Sequence, residues 1–281
     1  MDKEVTEKLI KDIKKKKEFQ LIDDSFVLKN LNTYLKKNQD MKKFLQGEFS
    51  ERNSLYKEVV KRVREELRKV HGLFQVHTNV EKRRAYLEEL LKKKEILEGS
   101  KKILETHAST KERVDFYPDL YKKLFKITGK PKRILDLGCG LNPFSIPFMD
   151  FKGKYYAYDI SDEEIWMIRK YLDFLGALGE AEVLDMLHWA KIEEMGKVDV
   201  CLMFKVTDVL DKGKGHKASE EVMTRVPAKF LVVSFPTYTV TGKRMNYPRR
   251  GWIEMMCKRL KCEFKVIKES NEIFYVIKKS V

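Results

Sequence analysis

Proline is missing from the first 117 residues of this 281-residue chain, and all seven prolines fall from Pro118 onward. No proline in that stretch kinks a helix or builds a polyproline linker. Cysteine is scarce. Cys139, Cys201, Cys257 and Cys262 are too few for the disulfide framework of a small secreted protein. Cys257 and Cys262 have no second pair to complete a zinc site, so no metal is expected. No apolar run reaches the 18 residues that would suggest a membrane-spanning helix. The N-terminus, MDKEVTEKLIKDIKKKK, lacks the apolar core of a secretory leader, and the expected location is the cytoplasm. Acidic residues are outnumbered, 43 Asp and Glu against 58 Lys and Arg, for a formal net charge of +15. That balance is a poor fit to a protein that must repel polyanions.

The positive excess is uneven: +11 in residues 1–130 and +4 in residues 131–281. Such asymmetry points to a polyanionic partner, a nucleic acid or an anionic membrane surface. The length allows about two domains. Residues 1–129 repeat apolar residues at three- and four-residue spacings: Val5, Leu9, Ile13; Leu28, Leu31, Leu35; Leu55, Val59, Val63, Leu67. This predicts four to six helices, the last near 112–127, with a break at His71-Gly72 and a cap at Thr78-Asn79. Gly129-Lys130-Pro131 is a breaker where the composition changes. Beyond it, apolar runs at 133–137, 154–158, 182–184, 198–204 and 229–235 alternate with helical stretches at 162–177, 218–226 and 249–260. Runs at 262–269 and 273–278, separated by Ser270-Asn271, close the chain as a hairpin. Alternating strands and helices predict a mostly parallel sheet covered on both faces. The expected division is therefore a basic helical domain, 1–129, and an α/β domain, 130–281.

The strongest local signal is Ile134-Leu135-Asp136-Leu137-Gly138-Cys139-Gly140, an apolar strand running into a Gly-x-Gly turn. Glycine lets the backbone turn tightly beneath a ligand. Asp159 follows Gly140 by nineteen residues, at the end of the second strand, where a carboxylate can accept hydrogen bonds from ribose hydroxyls. A dinucleotide fold needs a third glycine to bring a helix N-terminus to the pyrophosphate. Leu141-Asn142-Pro143-Phe144 has none. S-adenosylmethionine (SAM) carries no phosphate, and Asp-Leu-Gly-Cys-Gly resembles motif I of class I SAM-dependent methyltransferases. That resemblance implies that residues 138–140 pass under the methionine, that Asp159 holds the ribose and that Asp185-Met186 borders the adenine.

Two substrate classes are disfavoured. Amino-group methylation usually uses an Asn/Asp-Pro-Pro-Tyr/Phe motif after the fourth strand, where this chain has Phe204-Lys205-Val206-Thr207. Cytosine C5 methylation needs a cysteine nucleophile, but Ser234-Phe235-Pro236-Thr237 supplies none, and Cys201 lies within a strand.

His107-Ala108-Ser109-Thr110-Lys111-Glu112-Arg113 resembles a segment of the Arm family of aminoglycoside-resistance 16S rRNA methyltransferases. The likeness continues, in family order, through Gly140-Leu141-Asn142-Pro143, Phe204-Lys205, Val233-Ser234-Phe235-Pro236-Thr237 and Asn271-Glu272-Ile273-Phe274-Tyr275. It implies a class I, Rossmann-like methyltransferase fold with a seven-stranded, mostly parallel sheet, preceded by an all-α domain. It also implies SAM as cofactor, the small ribosomal subunit and its 16S rRNA as partner, and methylation of guanine N7 in the decoding region by a monomeric enzyme.

Guanine N7 has an exposed lone pair and no proton, so no general base is required and catalysis reduces to proximity and alignment. By resemblance, Arg113 pairs with the cofactor's carboxylate in bidentate fashion and His107 and Thr110 shape that end of the pocket. Gly138, Cys139, Gly140, Asn142, Asp159, Ile160, Asp185, Met186 and Phe204 complete the cofactor contacts. Lys205 is the positioning residue, facing either the target base or an rRNA phosphate. The chain departs from the family in Thr241–Arg250, where the acidic residue is lost and four of ten residues are Lys or Arg, and in the 211–217 stretch. Two alternatives stay open: a SAM-dependent methyltransferase acting on tRNA, protein or a small molecule, and a non-catalytic RNA-binding protein on the same scaffold.

Overall fold

The computed structural model describes residues 2–20, 22–47, 50–68, 80–211, 215–239 and 242–279. The break expected at residues 71–72, the cap expected at 78–79 and residues 212–214 lie outside them. The chain forms two compact units: Met1–Gln75 with Ile160–Glu163, and Val76–Asp159 with Glu164–Val281.

In the first unit, α1 (Lys3–Lys14), α2 (Asp24–Lys37), α3 (Gln39–Phe44) and α4 (Ser54–Leu67) surround Leu9, Ile13, Val27, Leu31, Val59 and Val63, all fully buried. All but Val27 are positions that the helical spacing marks as one face; Val27 is buried where Leu28 was read, Leu28 is half-buried, and Leu55 is exposed. α1, α2 and α4 start on side-chain caps: Asp2 accepts from Glu4 N at 2.9 Å, Asp23 from Ser25 N at 2.8 Å and Asn53 from Leu55 N at 2.8 Å. The segment at 160–163 completes this unit. Asp23 N donates to Ile160 O at 3.0 Å, Ile22 bridges Ser161, and the Ile160 side chain packs on this core.

The second unit opens with α5 (Val80–Lys93), α6 (Ile96–Leu104), α7 (Ala108–Lys111) and α8 (Tyr117–Thr128). Seven strands follow: β1 (Arg133–Leu137), β2 (Lys154–Asp159), β3 (Leu178–Val183), β4 (Val198–Phe204), β5 (Ala228–Pro236), β6 (Glu263–Lys268) and β7 (Glu272–Lys278). They form one sheet in the order β3-β2-β1-β4-β5-β7-β6, parallel except for β7, which runs antiparallel to both neighbours. Between the strands lie α9 (Asp162–Leu175), α10 (Trp189–Glu194), α11 (Thr207–Asp211), α12 (Lys217–Arg225) and α13 (Gly251–Arg259). β4 and β5 are buried along nearly their whole length, as a central strand covered on both faces must be. The strand order reverses direction between β1 and β4, which opens a crevice at the carboxyl ends of the parallel strands.

The mostly parallel seven-stranded sheet, the closing hairpin and the helical N-terminal region are as the sequence implies. The domain boundary at 129/130 is not. Leu87, Leu90, Ile103, Leu104, Tyr117, Leu120, Tyr121 and Leu124 share one apolar cluster with Ile134 of β1 and Tyr155 and Ala157 of β2. α5–α8 therefore belong with the sheet, and the composition change at Gly129 marks where strands begin. β3 begins four residues earlier than its short apolar run, because its residues 178–180 pair with β2 through backbone bonds while remaining exposed.

Candidate active site

The β1 strand ends in a loop that needs glycine twice. Gly138 and Gly140 have φ of 65° and 49°, a region that side-chain-bearing residues seldom adopt. At Gly138 a Cβ would also lie 2.7 Å from both Met186 Cε and Val206 Cγ2. The amides of Gly138 and Cys139 both donate to Tyr158 O, at 2.8 and 3.1 Å, and Gly140 N donates to Asp159 Oδ2 at 2.9 Å. Asp159 thus ties the end of β2 to the loop. The His107 ring stands 3.6 Å from where a Gly140 Cβ would be, and Ser109 Oγ pairs with its Nδ1 at 3.0 Å. The structure therefore brings together His107, Gly138, Cys139, Gly140, Asp159 and Met186. Val206, which the sequence reading omits, closes over the loop. Asp185 accepts from Leu187 N at 2.9 Å in the turn after β3.

Behind the loop runs a buried polar chain. Asp136 Oδ2 accepts from Tyr155 Oη at 2.6 Å and from Asn142 Nδ2 at 2.9 Å, and Asn142 Oδ1 accepts from Tyr117 Oη at 2.8 Å. Burial pushes the Asp136 carboxyl up to about 6, against the opposing pull of those two hydrogen bonds and of Arg113. Burial likewise raises the Cys139 thiol far above its ordinary value, which leaves it a packed apolar group and a poor nucleophile. Asn142 works here as a strut for the loop. Thr110 also turns inward, its hydroxyl donating to His107 O at 3.1 Å and to Leu104 O.

Arg113 is almost fully buried and faces Glu272, which is fully buried. Nε and Nη2 of Arg113 each contact the carboxylate at 2.9 Å. Burial alone would lower the Arg113 pKa, but Glu272 and Tyr117 outweigh it and hold the guanidinium charged. Its face lies over the Phe204 ring, 4.9 Å from the centroid, and Phe204 meets Phe274 edge-on at 5.3 Å. Lys205 directly follows β4 with φ of 56°, and its ammonium sits 3.4 Å from Glu272 Oε2 and pairs with Glu112. Glu112 O accepts from Asn271 Nδ2 at 2.8 Å. One buried carboxylate thus joins both cations that the sequence reading assigns separate tasks. The Nε/Nη2 edge of Arg113, expected to clasp a ligand carboxylate, is held by Glu272. The Lys205 side chain is only 6% exposed and is held by the buried Glu272 and the exposed Glu112.

Glu272, Tyr117, Tyr155 and Glu112 are absent from the residues read as functional. Glu112 and Glu272 carried a signal only as members of the two family-like segments, 107–113 and 271–275.

A Rossmann-like sheet with a Gly-x-Gly loop after β1 and a carboxylate after β2, at the carboxyl end of the parallel strands, defines the class I methyltransferase fold. The pattern of the ribosomal RNA methyltransferase family FmrO matches residues 48–276, and the chain belongs to that family. It is 31% identical over 188 residues to the 16S rRNA (guanine(1405)-N(7))-methyltransferase of Proteus mirabilis, covering 63% of this chain and 64% of that one. It is 29% identical over 193 residues to the enzyme of that name from Micromonospora rosea, covering 66% of this chain and 67% of that one. The match thus spans just under two thirds of the Proteus mirabilis enzyme. The fold resembles the crystal structure of 16S rRNA methyltransferase RmtF in complex with S-adenosyl-L-homocysteine, with a TM-score of 0.75, 21% identity and complete coverage of both chains. It also resembles that of the 16S rRNA methylase RmtB, with a TM-score of 0.71, 22% identity and 98% coverage of each.

Proposed function

We propose that this chain is a SAM-dependent methyltransferase that modifies guanine N7 in the decoding region of small-subunit 16S rRNA, acting as a cytoplasmic monomer. The observation that carries this reading is membership of an rRNA methyltransferase family together with an intact loop, carboxylate and arginine set at the sheet's carboxyl end. The residues fit SAM. Asp159 stands at the strand end where a ribose is recognised, and the loop has no third glycine for a pyrophosphate. Arg113 is a permanently charged partner for a carboxylate. Glu272 holds its Nε and Nη2, and Tyr117 bonds it as well, so the guanidinium is fixed in place at this end of the sheet.

Bound SAM supplies an activated methyl group on a sulfonium. The chain's own task is alignment. His107 and Met186 flank the loop, Phe204 supports Arg113, and Glu272 holds Arg113 and Lys205 in place. Lys205 acts as a positioning residue: its side chain is nearly buried, and its ammonium is held by the buried Glu272 and by the exposed Glu112. No acid–base relay is required, since N7 has no proton to lose.

Unit 1 supplies the grip on RNA in this reading. Membership of an rRNA methyltransferase family favours nucleic acid as the polyanion. A cleft of about 450 Å³ between α1 and α4 is lined by six cations, among them Lys16, Lys57 and Lys61, and by Asp12, Glu51 and Glu65, with Lys15 and Arg68 already paired to Asp12 and Glu18. Lysines and arginines spaced along such a cleft suit phosphates. The test is to incubate the protein and SAM with small subunits, cleave the rRNA with borohydride and aniline, and map the break by primer extension. A single break at a decoding-region guanine is expected. No break, or methyl transfer to tRNA or protein instead, overturns the reading.

A further inference from the structure

The segment after β5 displays a tyrosine that the fold does not use. Tyr247 is 89% exposed, the most exposed large apolar side chain among the described residues. Leaving that ring in water forgoes the stabilisation that burial would bring. The two exposed tryptophans differ. Trp166 is covered by Arg84 and Lys170, at 5.1 and 4.6 Å from its centroid, and Trp189 by Arg225 at 5.1 Å. Tyr247 has no ring or cation partner among the described residues.

Its backbone, by contrast, is anchored on both sides. Met245 N donates to Thr237 O at 2.9 Å, and Arg244 bridges Tyr238. Arg250 N donates to Tyr275 Oη at 2.8 Å, and its guanidinium lies 4.9 Å over Phe235. Pro248 restricts Tyr247 itself to extended backbone. The ring therefore stands on a pinned strut. That strut starts at the carboxyl end of β5, where Thr237 N donates to Asn271 O and Asn271 Nδ2 to Glu112 O, the partner of Lys205. Exposed Lys243 and Arg244 precede the ring by a few residues.

We propose that Tyr247 is a stacking platform for an unpaired base of the RNA substrate, with Lys243 and Arg244 on the adjoining phosphates. This rests on the rRNA reading above. A nucleobase is the ligand whose chemistry matches: a flat π-face for the phenol ring and a polyanionic backbone for the cations beside it. It also accounts for why the ring is rigidly presented yet bare. Methylation at N7 requires a base outside its helical stack, and an aromatic surface offsets part of the lost stacking.

The test uses the full chain, isolated small subunits and labelled SAM. Tyr247→Phe, Tyr247→Leu and Tyr247→Ala are compared for SAM affinity by calorimetry, subunit affinity by competition and single-turnover methylation. SAM affinity should stay at the wild-type value in all three. Phe should hold subunit affinity and methylation rate within about twofold, while Leu and Ala each lose about 5- to 150-fold in one of them, the range for one base–aromatic stack. Ala within twofold of wild type, Leu equal to Phe, or a fall in SAM affinity would overturn the platform while leaving the rRNA reading standing. A wild-type chain that binds SAM but neither binds nor methylates subunits would overturn both.

Discussion

Asp136 offers a direct measure of how the cofactor loop is braced. Its carboxyl titrates at about 6 in the fold and ordinarily at 3.8. Between those values the folded chain keeps a proton that the unfolded chain has released, so stability falls as pH rises through that window. Below about pH 4 both states are protonated and the effect vanishes; above about pH 6 it is complete. The difference corresponds to about 3 kcal/mol, at ~1.4 kcal/mol per tenfold change in proton affinity. Asp136→Asn removes the titration but keeps one oxygen to accept from Tyr155 and Asn142, both of which bond the same Oδ2. The assay is urea unfolding of both proteins from pH 4 to pH 7.5. The variant should gain about 3 kcal/mol relative to wild type across that range, whatever fixed offset the new amide introduces. Parallel stability curves would refute the argument, because they would mean that the Asp136 carboxyl ionises in the fold as it does in water.

Three further outcomes follow from the same geometry. Glu272→Gln leaves Arg113 and Lys205 without their shared carboxylate and should destabilise the protein by about 3–5 kcal/mol, as for other broken buried pairs; adding Lys205→Met should recover part of that loss in thermal melts. Arg113→Ala should abolish SAM binding in calorimetry while subunit binding persists, and unchanged SAM affinity would contradict its placement at the cofactor. Lys57→Glu with Lys61→Glu, two exposed positions beside the unit 1 cleft, should weaken subunit binding at every salt concentration and flatten its salt dependence by about one logarithmic slope unit for each phosphate no longer neutralised. SAM affinity should not move.

Periodicity and spacing were enough to read the sheet. A strand ending in Gly-x-Gly and an aspartate nineteen residues later leave few arrangements, and Gly140 N does donate to Asp159, with Gly138 N on the neighbouring Tyr158 O. The boundary between units was not legible at Gly129, because amphipathic helices look alike whether their apolar face meets other helices, as Leu31 and Val59 do, or a sheet, as Leu104 and Leu124 do. Nor was the state of Arg113 and Lys205. Their partner Glu272 lies 159 residues from Arg113 in the sequence, and only the antiparallel return of β7 beside β5, which sets Glu272 opposite Pro236, places it at that end of the sheet. Charge partners created by topology leave no local pattern. Tyr247 was visible as one aromatic in a basic loop, but its exposure could be known only from the fold.

The four residues Ile160–Glu163 carry a consequence for synthesis. They complete a unit otherwise built from the first 75 residues, through Asp23 N on Ile160 O and the pairing of Ile22 with Ser161. A chain emerging from its N-terminus at roughly 5–20 residues per second therefore exposes the basic helices several seconds before the residues that finish their packing arrive. During that interval the helices that carry the cleft lysines are without their last partners, and their final closure waits on β1, β2 and the glycine loop between them. The part of the protein most suited to polyanions thus matures no earlier than the front edge of its cofactor site.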